Sequence, residues 1–234
     1  MERIDKIIAS QGNYSRSDVK ELIAKRRVMV DGAVIKSSSV KVDPEKSMIV
    51  IDGVHISVKK HVYLMLHKPK GYVSATEDRE HQTVLELVPD EYQGRGLFPA
   101  GRLDRDTTGL MILTDDGMMA HNILAPKKHV QKVYHVELDI PVTAEMAVGF
   151  KNGVALNDGV CKEAALEITG EKTATVTLKE GRYHQIKRMF GCYGAKVVEL
   201  HRLAMGNLYL PADLPEGQCR ELTEEELKHL QQME

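Results

Sequence analysis

The apolar residues of this chain come in runs of three to five, and run after run stops at a turn signal. Val28-Met29-Val30 meets Asp31-Gly32, and Met48 to Ile51 meets Asp52-Gly53. Val62 to Leu66 is stopped by His67-Lys68-Pro69-Lys70-Gly71, and Leu110 to Leu113 leads to Asp115-Asp116-Gly117. Runs of this length between turn residues are short strands. Asp-Gly suits the positive φ of a two-residue hairpin. None approaches the roughly 18–20 apolar residues of a membrane helix. Hairpins and meanders outnumber strand-helix-strand crossovers, which predicts an α+β fold with a mixed, largely antiparallel sheet. At 234 residues the chain is one large domain, or two with one small. A hydrophobic share of 42% with 28% charged residues excludes a disordered, collagen-like or low-complexity chain.

The spacing changes character along the sequence. Ile4, Ile7 and Ile8 share one face of a short helix. Ser15 caps a second, whose inward stripe is Val19, Leu22 and Ile23. Strands follow at 28–30 and 33–35, and residues 57–61 read as a linker. From residue 62 strands and helices mix. Helices are predicted at 118–124, 143–151 and 183–193. Strands are predicted at 133–138, 160–168, 173–179 and 195–203, and a capping box at Thr223–Glu226 opens a last helix. The predicted division is 1–56, a linker at 57–61, and 62–234. The first residues interleave acids and bases, unlike a secretory signal, and Cys161, Cys192 and Cys219 are odd in number and dispersed. Reduced thiols and a cytoplasmic protein without membrane association are expected.

Charge is nearly balanced, with 32 Lys and Arg against 34 Asp and Glu, but unevenly spread. Residues 1–60 hold 12 basic and 8 acidic side chains, and residues 213–234 hold 2 and 7. Arg16, Lys20, Lys25, Arg26 and Arg27 fall on or beside the second helix. Such a patch can track phosphates without reading bases. Charges alone fit a solvated helix with cations near its C-terminal dipole better.

The densest polar cluster is Gly101-Arg102-Leu103-Asp104-Arg105-Asp106-Thr107-Thr108-Gly109. Composition alone favours an exposed turn with ion pairs. Asp104-Arg105-Asp106-Thr107-Thr108 also fits D-x-D-x-T, a phosphotransfer pattern that should follow a buried strand. Phe98 to Leu103 is no such strand. A glycosidase-like carboxylate pair needs two environments around one centre. In an extended loop, Asp104 and Asp106 are expected to point opposite ways.

The loop and its companions resemble the RsuA-type branch of the pseudouridine synthases, the branch of the small-subunit ribosomal RNA enzyme. G-R-L-D-x-D-T-x-G-L is joined, in order, by four further elements. These are His67-Lys68-Pro69-x-Gly71, Lys132-Val133-Tyr134, Glu180 to Met189 and Leu200 to Gly206. His67 stands where the branch usually carries Asn. Residues 2–55 resemble the αL RNA-binding domain of ribosomal protein S4. The resemblance implies an S4-like domain followed by a pseudouridine synthase domain, isomerising a uridine without cofactor or metal. It implies Asp104 as the catalytic carboxylate, Lys187 as its charge partner and Tyr134 stacked on the target base. Ile186 and Leu203 become pocket walls. Arg102, Arg105, Arg182, Lys68, Lys127 and Lys128 become substrate contacts, and Arg16, Lys20, Lys25, Arg26 and Arg27 the RNA contacts of the first domain. The 180–185 and 198–202 sequences look closer to the enzyme acting on 16S RNA, in a small-subunit assembly intermediate, than to its 23S relatives. A monomer is expected. A non-catalytic RNA-binding assembly factor is the alternative of another class.

Overall fold

The computed structural model describes residues 1–125 and 130–231. The chain forms two compact units. The first holds Met1–Val62 with Val88–Leu97, and the second holds Tyr63–Leu87 with the chain from Phe98 onward.

In the first unit β1 (Glu2–Arg3) runs into α1 (Ile4–Ser10), and α2 (Arg16–Ala24) follows. The capping box forms at Ser15. Its Oγ accepts from the Asp18 amide at 3.2 Å, and Asp18 Oδ2 accepts from the Ser15 amide at 2.8 Å. Val19, Leu22 and Ile23 are buried with Ile4, Ile7 and Ile8 in one core. Next come β2 (Val28–Val30), β3 (Ala33–Val34), β4 (Lys41–Val42), β5 (Ile49–Ile51) and β6 (Val54–Ile56). Four of these form an antiparallel sheet in the order β3-β2-β5-β6, while β4 pairs with β1. Both Asp-Gly turns have two positive φ values, 49° and 81° at Asp31-Gly32 and 52° and 80° at Asp52-Gly53. That is the geometry a tight hairpin demands.

The unit extends past residue 56. The Lys59 amide donates to Gln11 Oε1 at 2.9 Å. The 3₁₀ turn Asp90–Arg95 buries Arg95, whose Nη1 donates to Gln11 Oε1 at 2.9 Å and to the Lys59 carbonyl at 3.1 Å. Gly12 and Gly94 lie so close that a Cβ on Gly94 would collide with the Gly12 carbonyl.

The second unit starts with β7 (Tyr63–Lys68), a 3₁₀ turn at Val84–Leu87, β8 (Phe98–Pro99), β9 (Thr108–Thr114) and α3 (Gly117–Leu124). It continues with β10 (Lys132–Leu138), α4 (Ala144–Asn152), β11 (Ala155–Leu156), β12 (Gly159–Val160), β13 (Ala165–Ile168) and β14 (Thr173–Leu178). It ends with α5 (Gln185–Gly191), β15 (Val197–Met205), β16 (Leu208–Tyr209), β17 (Cys219–Glu221) and α6 (Glu224–Gln231). The main sheet runs β13-β14-β10-β15-β9-β7-β17. Every pairing is antiparallel except β15 with β9, so the sheet is mixed and largely antiparallel. β9 is buried at every residue, as a central strand covered on both faces must be. The parallel pair needs Gly109, at φ 107°, because a Cβ there would collide with the Arg202 backbone.

Besides the division into units, expected at 56 and running to Val62 with Val88–Leu97 added, two elements differ from the sequence expectation. The strand expected across 160–168 breaks into the β11–β12 hairpin and β13. The helix expected from 183 begins at Gln185, because His184 sits in the left-handed region at φ 46°. Among the described residues no helix is long and apolar enough to cross a membrane.

The last helix is anchored electrostatically. Thr223 and Glu226 form the expected capping box, and Arg220 makes a two-pronged contact with Glu226 at 2.7 and 2.8 Å. Those hydrogen bonds take the Glu226 carboxyl down to about 2 from 4.5. A lowered carboxylate adds stability at neutral pH that fades as pH falls from 4.5 towards 2. Glu226→Gln is therefore expected to lose roughly 1–2 kcal/mol at pH 7, allowing for solvent screening. Urea denaturation should show the deficit shrinking at pH 3, and an equal deficit at both pH values would contradict the anchor.

Candidate active site

The loop 101–107 enters the centre of the sheet and is fixed from three sides. Ser74 Oγ donates to the Leu103 carbonyl at 2.7 Å and accepts from the Leu103 amide at 3.0 Å. The Thr107 amide donates to the Asp104 carbonyl at 3.1 Å, which closes a turn. The Gly71 amide donates to the Arg105 carbonyl at 2.8 Å. Beneath the turn Lys68 is fully buried. Its Nζ donates to the carbonyls of Pro69 (3.0 Å), Arg105 (3.3 Å) and Thr107 (2.9 Å). Burial lowers this amine to about 8, against the attraction of Asp106 and Asp104.

The turn overturns the expectation that the two carboxylates diverge. Lys187 Nζ lies 2.5 Å from Asp106 Oδ1 and 3.3 Å from Asp104 Oδ2, so one ammonium joins both. A loop read as extended is a tight turn, and a tight turn carries residues i and i+2 round to one side. Lys187 lies in the first turn of α5. The expected Asp104–Lys187 pair forms, with Asp106 the nearer partner. His184, which caps α5, brings Nε2 to 3.5 Å from Asp104 Oδ1. The side chain of Asp104 is 26% exposed and that of Asp106 69%, so Asp104 is the sheltered one. Partial burial would raise Asp106, but the hydrogen bond and charge of Lys187 hold it below the ordinary carboxylate range.

These groups border a cavity of about 1090 Å³. Tyr134, buried on β10, lines it with Ile186, Arg102, Arg105 and Arg182. Leu203 does not. β10 pairs Val133 with Ala204 but Tyr134 with Arg202, a bulge that leaves Leu203 between the two registers. Leu200 and Arg202, two apart on β15, face the cavity instead. Lys68 is likewise corrected from a surface substrate contact to the buried pin of the loop. Lys70 is exposed and paired with Glu199 at 2.5 Å. Arg105 Nη1 lies 3.1 Å from His81 Nε2. Lys127 and Lys128 lie outside the described residues. His67 faces away from the loop. Its Nδ1 is 2.8 Å from the Leu214 carbonyl, and its ring meets His201 edge-on.

The segment 180–185 locks itself. Gln185, 4% exposed, donates to Glu180 Oε1 at 2.6 Å and accepts from the Arg182 amide at 2.9 Å. Arg182 borders the cavity, but its guanidinium binds the β11–β12 hairpin through the carbonyls of Gly159 (2.9 Å) and Asp158 (2.6 Å). Arg182 thus borders the cavity while also tying this segment to the hairpin.

The cavity also holds residues that sequence reasoning left without a role. Arg202, 1% exposed, donates through Nε to the Leu110 carbonyl at 2.7 Å, while its Nη2 has no protein partner. Thr107 Oγ1 is the other unpartnered buried side-chain atom among the described residues. Lys132 is lowered by burial and by the charge of Arg202. The K-x-Y and L-x-R spacings flagged Lys132 and Arg202, and both line the cavity, with Arg202 opposite Tyr134 in the register. Among the described residues no group of three or more His, Cys, Asp and Glu could hold a metal ion.

The arrangement is one open cavity of about 1090 Å³. A buried aromatic and apolar side chains form its wall, and a sheltered carboxylate beside an ammonium stands at its edge. The comparisons agree with that geometry. A family model described as RNA pseudouridylate synthase matches residues 62–191, and one described as S4 domain matches residues 2–47. The chain is 43% identical over 228 residues to the ribosomal small subunit pseudouridine synthase A of Escherichia coli K12, covering 96% of this chain and 98% of that one. It is 42% identical over 230 residues to an uncharacterized RNA pseudouridine synthase of Bacillus subtilis, covering 96% of each. A crystal structure described as pseudouridylate synthase superposes with a TM-score of 0.70 at 38% identity, over 98% of this chain and all of that one.

Lys68→Met removes the ammonium from under the turn. Amide hydrogen exchange at Gly71 and Thr107 should then accelerate about tenfold or more, and unchanged protection would refute the pin. Between pH 8 and 10.5 the native lysine has shed a proton that the unfolded chain still holds, so wild-type stability gains a rising component there. Urea melts of Lys68→Met across that range should lack it.

Proposed function

From a chain that belongs to the RNA pseudouridine synthase family, with an S4 domain before the catalytic one, we propose the isomerisation of one specific uridine of 16S ribosomal RNA to pseudouridine. The reaction breaks the bond from sugar C1′ to ring N1 and makes one from C1′ to C5, while a proton leaves C5 and another is gained at N1. No outside electrons or energy are required. Asp104 is the catalytic carboxylate in this reading, because it alone in the loop is both sheltered and beside the cavity with Lys187 at 3.3 Å. Lys187 keeps a charge of opposite sign beside it. Tyr134 offers a ring face to the extruded base, and stacking of this kind recovers roughly 1–3 kcal/mol of the cost of flipping. Ile186 and Leu200 close the apolar walls.

The choice of 16S RNA is supported by the name of the 43% identical relative over nearly its whole length. The enzyme is taken to act as a monomer in the cytoplasm, on a small-subunit assembly intermediate. The first unit supplies sequence-independent grip. Arg16, Lys20, Lys25, Arg26 and Arg27 are all exposed. Lys25 is paired with Glu21 and Arg27 with Asp52. Lys20 and Arg26 are therefore the cleaner phosphate contacts to test.

Asp104→Asn should bind the RNA as wild type does and lose turnover by at least roughly a thousandfold. Turnover near wild type would remove Asp104 as the catalyst. Mapping pseudouridines in ribosomal RNA from cells with and without the gene should show one 16S position missing. A missing 23S position instead would reassign the substrate. Replacing Lys20 and Arg26 together by Ala should reduce the slope of log affinity against log salt by about 1–2. An unchanged slope would detach these residues from the RNA.

A further inference from the structure

The mouth of the cavity carries an aromatic pair that no core explains. Tyr183 is 69% exposed, and its ring stacks on that of His184 with centroids 3.8 Å apart and planes 20° apart. Both residues line the cavity. His184 Nε2 is 3.5 Å from Asp104 Oδ1, so the stack stands one side chain from the proposed catalyst.

The pair is held in place by the protein. His184 occupies the left-handed region at φ 46°, a conformation that non-glycine residues adopt at a cost and keep where surrounding structure enforces it. Here the Gln185 amide donates to the Arg182 carbonyl at 3.2 Å, and the Arg188 amide donates to the His184 carbonyl at 2.9 Å. Arg188 Nη1 donates to the Tyr183 carbonyl at 3.1 Å. The backbone of both residues is thereby set before any ligand arrives. One face of the Tyr183 ring rests on His184, and the ring remains largely open to solvent. An ordered aromatic left in water at the mouth of a cavity of about 1090 Å³ is a ready stacking surface.

We propose that Tyr183 and His184 form a platform for an unpaired RNA base adjacent to the uridine that enters the cavity. The inference rests on the reading of the cavity as a uridine site. Flipping one nucleotide strips its neighbour of a stacking partner. An aromatic face at the rim replaces that partner, and it accepts any of the four bases because every base has a π-face.

The chain contains no tryptophan, so Tyr183→Trp places a single indole at the platform, which can be excited selectively over the tyrosines. Titration with a 16S transcript should quench its emission in step with binding measured on filters. Heparin, which meets the cations but offers no base, should leave it unchanged. Constant emission at saturating RNA, or equal quenching by heparin, would overturn the platform. Tyr183→Ala should raise KM for the transcript roughly 5- to 100-fold, the equivalent of one lost stacked base, with the loss falling on KM and not kcat. Tyr183→Phe should recover most of it. A KM within twofold of wild type in the Ala variant, or a Phe variant as impaired as Ala, would also overturn it. Failure of the wild type to make pseudouridine would instead remove the underlying reading, whatever the emission shows.

Discussion

Lys68 ends an interior strand with its ammonium fully out of water, and its three hydrogen bonds all go to carbonyl oxygens. Carbonyl dipoles solvate a cation incompletely, and burial drags the amine down to about 8. The loop and the lysine therefore depend on one another. The ammonium draws the carbonyls of Pro69, Arg105 and Thr107 inward and so sets the turn that presents Asp104 and Asp106. Those two carboxylates are the charges that most oppose the loss of its proton. An unpinned turn would let the carboxylates separate.

A second constraint lies in the parallel pairing of β9 with β15, the only one in the large sheet among the described residues. Gly109 admits the Arg202 backbone, and Thr108 Oγ1 lies 2.8 Å from His201 Nδ1 one residue earlier. The bulge between β10 and β15 then turns Arg202 towards the cavity beside Tyr134. The ring-facing wall and the carboxylate-bearing turn are thus set by neighbouring features of one central strand. Rigid elements hold reacting groups more accurately than free loops do.

What could be read in the sequence was local. The Ser15 and Thr223 capping boxes, the two Asp-Gly hairpins and the inward faces of α1 and α2 follow from residues within four positions of each other, and all are present. The ordered motifs also brought Asp104, Tyr134 and Lys187 to one cavity. What could not be read depends on distant partners. Lys68 looks like a surface lysine until three carbonyls from two segments surround it. Leu203 leaves the cavity wall, and Leu200 and Arg202 line it instead, because of one bulge. The stretch 88–97 joins the first unit through Arg95 and Gln11, 84 residues apart in sequence. Glu180, Arg182 and Gln185 read as parts of one family element, and only the structure shows that they hold one another and a hairpin.

The geometry also separates two carboxylates that sequence alone leaves equivalent. Lys187 approaches Asp106 at 2.5 Å, an ion-paired hydrogen bond that occupies that carboxylate and lowers its proton affinity. Asp104 stands at 3.3 Å from the same ammonium and 3.5 Å from His184, near two positive or polarisable groups without a tight bond to either. A carboxylate that must engage substrate atoms needs its lone pairs uncommitted. Asp106 fails that condition. It serves better as the second anchor of Lys187, fixing the ammonium so that its remaining field falls on Asp104.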